Sequence, residues 1–331
     1  VSAPSYPALT GGLAALVLCA FAASVTIGYA AIDLGGALAD LAAGDSSLDA
    51  LVLAELRLPR AIMGGLVGFS LGVAGAAMQG LLRNPLADAG VIGVSGAAAF
   101  GAVMAFYSGL SATIGLALPI GGVLGAGVAV AMLYALAGRG SATTTLILAG
   151  VAINSLAGAL TALALNLSPN PYAAMEVMFW LMGSLADRSM THVQLAAPLL
   201  AVGWLMIFAS GPALDALTLG EDTATSLGFD MGRVRVLLIF GTALAVGASV
   251  AVTGAIGFVG LVVPHLFRPL VGGRPGRLLL VSGLGGAALV LAADIGVRLV
   301  GVQPELKIGV VTALIGAPFF LSLLWRRRRE A

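Results

Sequence analysis

Residues Gly211 to Gly232 read GPALDALTLGEDTATSLGFDMG. On either side lie apolar runs of membrane grade; this stretch is polar, helix-prone and broken by glycine. Pro212 suits the first turn of a helix and Gly220 breaks it, after which Glu221 and Asp222 favour a second helix start. Gly228 suits the position just past that helix's end. The pattern predicts two short helices at an angle, with Leu217, Leu219 and Leu227 offering an apolar groove. Connections between elements have a median of about 4–6 residues, and this one is far longer. It reads either as an ordinary loop or as the place where a partner grips a membrane protein.

The rest of the chain favours a membrane. Of 331 residues, 60% are hydrophobic and 9% charged, with mean hydropathy +1.07. A soluble domain carries about 25% charged residues. The 47 glycines fit helices that approach closely where lipid supplies no hydrophobic drive between them. A net charge of +1 indicates no nucleic-acid partner. The single Cys19 excludes an intrachain disulfide and reads as a small lipid-facing or packed hydrophobe.

A spanning helix needs about 20 apolar residues. Candidates fall at 9–32, 59–80, 91–108, 112–137, 143–167, 193–210, 232–253, 255–271, 278–300 and 306–325. The expected fold is all-α and polytopic, a single transmembrane domain over 1–331 with about ten spans, two of them short. The first span does not resemble a signal peptide, lacking a basic leader and a cleavage pattern. With both termini cytoplasmic, Arg83, Arg139, Arg233, Arg235, Arg268, Arg274, Arg277 and Arg326 to Arg329 face the cytoplasm. Arg57, Arg60, Arg188, Arg298 and Lys307 then face outward. Eleven against five of the 16 basic residues satisfies the positive-inside rule. The C-terminal arginines serve as an anchor that also meets anionic lipid head groups.

Two long outer connections follow, Asp33 to Leu58 and Ser168 to Thr191; the second predicts a short amphipathic helix at the membrane surface. A weak internal repeat is visible. Pro85 follows Gly75-Ala76 by the same ten-residue step, counted from the glycine, that separates Pro264 from Gly254-Ala255. Spans 2–5 and 7–10 would then form an inverted repeat, a pattern that points to a transport pathway.

Catalytic chemistry is missing. No G-x-x-x-x-G-K-[ST] loop and no H-E-x-x-H motif occurs, and His192 and His265 lie too far apart in sequence to suggest zinc. No cofactor, metal or catalytic residue is specified. Arg57 and Arg60, in LRLPR, suit either interfacial snorkelling or an acidic protein on the outer face. Arg83 and Asp88 suit helix caps, while Asn84 and Leu86 suit a constriction. Asp294 and Arg298, four residues apart, suit a local ion pair better than a proton relay.

The segments LRLPR (56–60), GAAMQGLLRNPLADAGVIGVSGAA (75–98), LILAGVAINS (146–155), FWLMGSL (179–185), LGEDTATSLGF (219–229), GAIGFVGLVVPHLFR (254–268), LAADIGVRL (291–299) and ELKIGVVTALIGAPFFL (305–321) together resemble the FecCD-type permease subunits of type II ABC importers for iron chelates and cobalamin. The resemblance covers nearly the whole chain after the first span. It implies a homodimer in the bacterial inner membrane, two cytoplasmic ATP-binding subunits and a periplasmic substrate-binding protein. By position, Arg57, Arg60 and Arg298 would meet that binding protein. Asn84, Leu86, Ala142, Thr143 and Thr144 would form a cytoplasmic gate, and Val151, Asn154 and Ser155 would line the path. ATPase coupling would fall to Leu217, Leu219, Gly220, Glu221, Asp222, Ala224, Leu227 and Gly228. Lys307 stands where the family usually has proline; there it would pair with Glu305 or meet an anionic chelate such as haem or a siderophore. A cobalamin importer of the same family is the alternative, and an ion-coupled secondary transporter a more distant one.

Overall fold

The regular structure among the described residues is all helical, because within a bilayer each backbone N–H and C=O must be satisfied inside its own segment. The structure, a computed structural model, describes residues 4–138, 143–168 and 170–330. In chain order the helices are α1 (Tyr6–Thr26), α2 (Leu34–Ala43), α3 (Leu48–Leu51), α4 (Leu58–Leu81), α5 (Val94–Tyr107), α6 (Leu110–Thr113), α7 (Ala117–Ala137) and α8 (Thr143–Asn166). They continue as α9 (Pro171–Leu181), α10 (Met190–Ala209), α11 (Gly211–Leu217), α12 (Glu221–Ser226), α13 (Met231–Thr253), α14 (Val259–Phe267), α15 (Pro275–Val300) and α16 (Ile308–Glu330). Among the described residues, 7 helices are long and apolar enough to cross a membrane. Three shorter apolar helices, 94–107, 259–271 and 308–319, occupy the places of expected spans 3, 8 and 10.

Two boundaries differ from the sequence reading for clear reasons. The second span does not begin at Pro59. A π-helical stretch, Val52–Arg57, joins α3 to α4, so one helix runs from Leu48 to Leu81. Pro59 has no N–H to give to the preceding turn, and a widened turn just before it absorbs the mismatch. The eighth span is broken: residues 254–257 are non-helical, and Phe258 opens α14 with φ +67°.

The predicted repeat is visible in the packing. Helix α4 lies along α15 and against α14; its counterpart α13 lies along α7 and against α5. Each half thus lends its first span to the other half's second and third. The contacts need small residues. A Cβ on Gly68 would overlap the Gly286 carbonyl, and one on Gly75 would overlap that of Gly260. Backbones this close gain dispersion contacts that lipid cannot compete for. Trp204 on α10 reaches into the same core, donating Nε1–H to the buried Ser70 hydroxyl at 3.0 Å.

Both ends of the bundle are marked by contacts between distant segments. At one end Tyr6 stacks under Arg277 at 5.1 Å, and Gly276 N donates to Asp215 of α11 at 2.7 Å. The start of α1, the start of α15 and the α11–α12 pair therefore share an end. At the other end lie the last turns of α1 and α15 and the Glu305 segment.

Candidate functional site

The stretch quoted first folds into two short helices. Gly220 (φ +109°) and Gly228 (φ +91°) bracket α12, taking backbone angles that L side chains rarely adopt. Leu217 is not part of a groove. It is 4% exposed, and with the fully buried Ala224 it seats the pair on the bundle. Helical spacing is the cause: Ala213, Leu214, Ala216 and Leu217 share the face toward the spans, and such a face must be apolar. Leu219 and Leu227 point away, 67% and 61% exposed, beside exposed Asp222 and Gly228. Glu221 is also tied down, accepting from Arg235 of α13 at 2.5 Å. A cavity of about 350 Å³ under this junction is lined by Leu81, Arg83, Leu217, Glu221 and Arg235 among others, so the end of α4 reaches the same place.

The turn after α4 holds Asn84 and Leu86. The Asn84 side chain accepts from Leu86 N at 2.9 Å, which makes it a brace for its own turn. Asp88 accepts from Ala89 N at 2.7 Å and lies against Gly260 at the start of α14. Ala142 lies outside the described residues, as does the side chain of Thr143. On α8, Leu146, Ala149, Ile153 and Ala157 are buried, whereas Thr144, Val151, Asn154 and Ser155 are exposed. One face of this spanning helix is therefore apolar and packed, and the other mixes Thr144, Asn154 and Ser155 with exposed Leu148, Val151, Leu156 and Leu163, without cover in the monomer. An amide facing lipid is costly, so that face suits water or a second polypeptide. A Cβ on Gly96 would strike the Asn154 amide oxygen, so α5 passes directly beside it.

At the opposite end the three arginines expected on an outer surface are turned inward. Arg57 is 7% exposed and donates to the carbonyls of Val25 (3.0 Å), Thr26 (2.6 Å) and Ala30. Its cation thus caps the C-terminal end of α1, where orphan carbonyls and the helix dipole favour positive charge. Arg298, 6% exposed, bonds Asp294 (2.8 Å), the Ser24 hydroxyl (2.7 Å) and the Ser24 and Ile27 carbonyls. Arg60 reaches Asp294 at 2.8 Å and also holds Glu305. The Asp294–Arg298 pair was legible as a helical i, i+4 spacing. Its long-range members, Arg60, Glu305 and Ser24, were not, because they come from three other segments. Buried guanidiniums must find partners, and these carbonyls and carboxylates are the ones within reach.

Lys307 does not pair with Glu305, which Arg60 occupies. Its ammonium lies 5.9 Å from the Phe179 ring centroid. It shares a cavity of about 440 Å³ with Tyr172, Glu176, Trp180 and Arg188. Arg188 was assigned no role from sequence, and no local spacing marks it. His265 packs edge-on to Phe319 at 6.2 Å. No group of three or more potential metal ligands occurs among the described residues.

Known proteins resemble this chain in sequence and fold. The profile of the FecCD transport family matches residues 16–326. The chain is 44% identical to the vitamin B12 import system permease protein BtuC of Vibrio cholerae, over 85% of each chain. It is 37% identical to the ferric enterobactin transport system permease protein FepD of Escherichia coli, over 96% of this chain and 95% of that one. A solved chain, described as a metal-chelate type ABC transporter in an inward-facing conformation, superposes with TM-score 0.85 at 30% identity, covering 97% of this chain and 99% of that one. The protein is a multi-pass membrane protein, an ABC importer permease belonging to the FecCD transport family.

Proposed function

We propose that the chain pairs with a second copy of itself in the bacterial inner membrane and forms the path by which an iron chelate, haem or a ferric siderophore, enters the cytoplasm. Both termini lie on the cytoplasmic side. The observation that carries the reading is the α11–α12 pair: two short helices seated by Leu217 and Ala224, presenting Leu219 and Leu227 outward. The chain has no nucleotide-binding loop, so an exposed apolar knob on the basic-rich end fits a separate ATP-binding subunit. Two such subunits, closing on ATP, would draw the two α11–α12 pairs together. A ligand shifts a two-state equilibrium only by its differential affinity for the states, and here ATP supplies that difference. The uncovered face of α8, where Asn154 and Ser155 sit among exposed apolar residues, then lines the path, with Asn84 and Leu86 near its inner end.

A periplasmic substrate-binding protein delivers the chelate on the opposite side. Because Arg57, Arg60 and Arg298 are engaged within the chain, its acidic residues would have to compete with Asp294 and Glu305 or meet other groups. Cobalamin is the second reading, favoured by the B12 import permease among the relatives. Reconstitution with the ATP-binding subunits and the binding protein decides it. ATP-dependent uptake of haem or a ferric siderophore is expected; uptake of cobalamin alone selects the second reading. Uptake by the purified chain without an ATPase overturns both in favour of an ion-driven carrier.

A further inference from the structure

The cavity that holds Lys307 also holds Arg188. Arg188 forms no hydrogen bond and no ion pair with any described residue, and its Nε is buried without a partner. Burial holds its pKa below the usual guanidinium value, with the neighbouring Asp187 opposing that shift. A buried, unpaired donor costs the desolvation of the group, so its persistence points to a ligand that supplies the missing acceptor.

The walls are built and rigid. Arg188 sits on the strap 182–189 that links α9 to α10. Ser184 N donates to the Thr253 carbonyl at 2.8 Å, and Gly183 lies so close to the Ala255 carbonyl that no side chain fits. Gly309, two residues past Lys307, meets the Met182 carbonyl in the same way. The strap and the start of α16 are thereby locked together, with Arg188 on one and Lys307 on the other. Tyr172, Phe179 and Trp180 of α9 supply flat aromatic surface. Two carboxylates, Glu176 and Asp187, also line the cavity, but neither forms an ion pair with Arg188 or Lys307. Both are exposed, so the two cations stay available.

A volume of about 440 Å³ falls within the usual range for small-molecule sites, roughly 300–1,000 Å³. It exceeds what a single protein carboxylate requires. We infer that this pocket binds the carboxylate edge of a planar or aromatic metal chelate at the outer mouth, with Arg188 and Lys307 as the anion ligands and the α9 aromatics against the ring. The inference rests on the proposed import function and adds to it a selectivity for anionic cargo. Guanidinium matches a carboxylate with two parallel N–H bonds, which Lys307 supplements as a point charge.

The test uses the full chain in lipid nanodiscs, with haem and its dimethyl ester as probes and tryptophan quenching as the readout. Empty nanodiscs correct for partitioning, and Trp180→Phe locates the signal. Arg188→Gln is expected to weaken haem binding by about tenfold or more, the usual scale for a lost charge-assisted hydrogen bond, while leaving the ester unchanged. Arg188→Lys should fall between wild type and Arg188→Gln, which separates loss of the anion site from loss of folding. Equal affinity for acid and ester, or unaltered haem binding by Arg188→Gln, overturns the inference. So does a variant that keeps haem affinity but loses affinity for the substrate-binding protein, since the pocket would then take a partner's side chain. ATP-driven uptake of a neutral ferric trihydroxamate by the reconstituted complex reports on import separately. If that uptake persists while Arg188→Gln binds haem normally, the pocket assignment fails and the import function stands.

Discussion

Arg60 and Asp294 stand 234 residues apart, yet Nη2 of the arginine donates to Oδ1 of the aspartate at 2.8 Å. The same carboxylate takes Arg298 at 2.8 Å, so one buried acid is shared by two guanidiniums from α4 and α15, and Glu305 supplies the second negative charge. Asp294→Ala leaves Arg60 with Glu305 alone and leaves Arg298, still held by Ser24 and Ile27, without a counter-charge of its own. Removing one partner of a buried ionic group costs about 3–5 kcal/mol, so a large drop in thermal midpoint in detergent is expected. Arg60→Met, which leaves Asp294 its Arg298 partner, should cost less. Equal midpoints for the Asp294 variant and wild type would show that the cluster carries no stability.

Leu219→Asp and Leu227→Asp act at exposed positions and should leave the midpoint within about 0.5 kcal/mol of wild type. In the reconstituted complex, both should uncouple ATP hydrolysis from uptake. Ala224→Leu is the contrast: that site is fully buried, and overpacking costs about 1–3 kcal/mol. Normal coupled uptake in both aspartate variants would reduce the α11–α12 pair to a connecting loop.

Glu221 is anchored to Arg235, so Glu221→Arg sets two cations face to face. Glu221→Gln should cost under about 1 kcal/mol, since the carboxylate is half exposed and such pairs are weak. If the reversal impairs coupling by displacing α12 from α13, then Glu221→Arg with Arg235→Glu together should restore uptake. Failure of the double variant to recover would place the role of Glu221 in direct contact with the ATPase.

Gly75→Ala drives a Cβ into the Gly260 carbonyl, backbone against backbone, at the crossing of α4 and α14. Neither helix can yield without opening the junction between the two repeats, so the yield of folded protein should fall sharply. Gly127→Ala on α7 meets open space and should be neutral. Size-exclusion profiles in detergent compare the two directly.

Much of this architecture was legible in one dimension. Hydrophobic length marked the spans, because the bilayer demands about 20 apolar residues. Glycine and acidic residues marked α11 and α12, because helix ends impose local rules on caps and dipoles. The Gly75/Pro85 and Gly254/Pro264 echo corresponds to the interlocked packing of α4 with α15 and α13 with α7. These features depend on backbone chemistry within a few residues, which any sequence displays.

What only the tertiary structure decided depends on neighbours. From sequence, Arg57 and Arg60 read as surface charges, for lipid head groups or for an acidic protein. Their direction was set by the last turn of α1, whose free carbonyls receive Arg57 and Arg298, and by Asp294 and Glu305. Leu217 and Leu219 are the same residue type two positions apart, and only the packing of α11 on the bundle buries one and exposes the other. Arg188 counts in the sequence only toward the charge balance; the strap and α16 bring Lys307 and the α9 aromatics around it. Charge and apolarity are properties of a residue, whereas pairing and burial belong to the segments that fold against it.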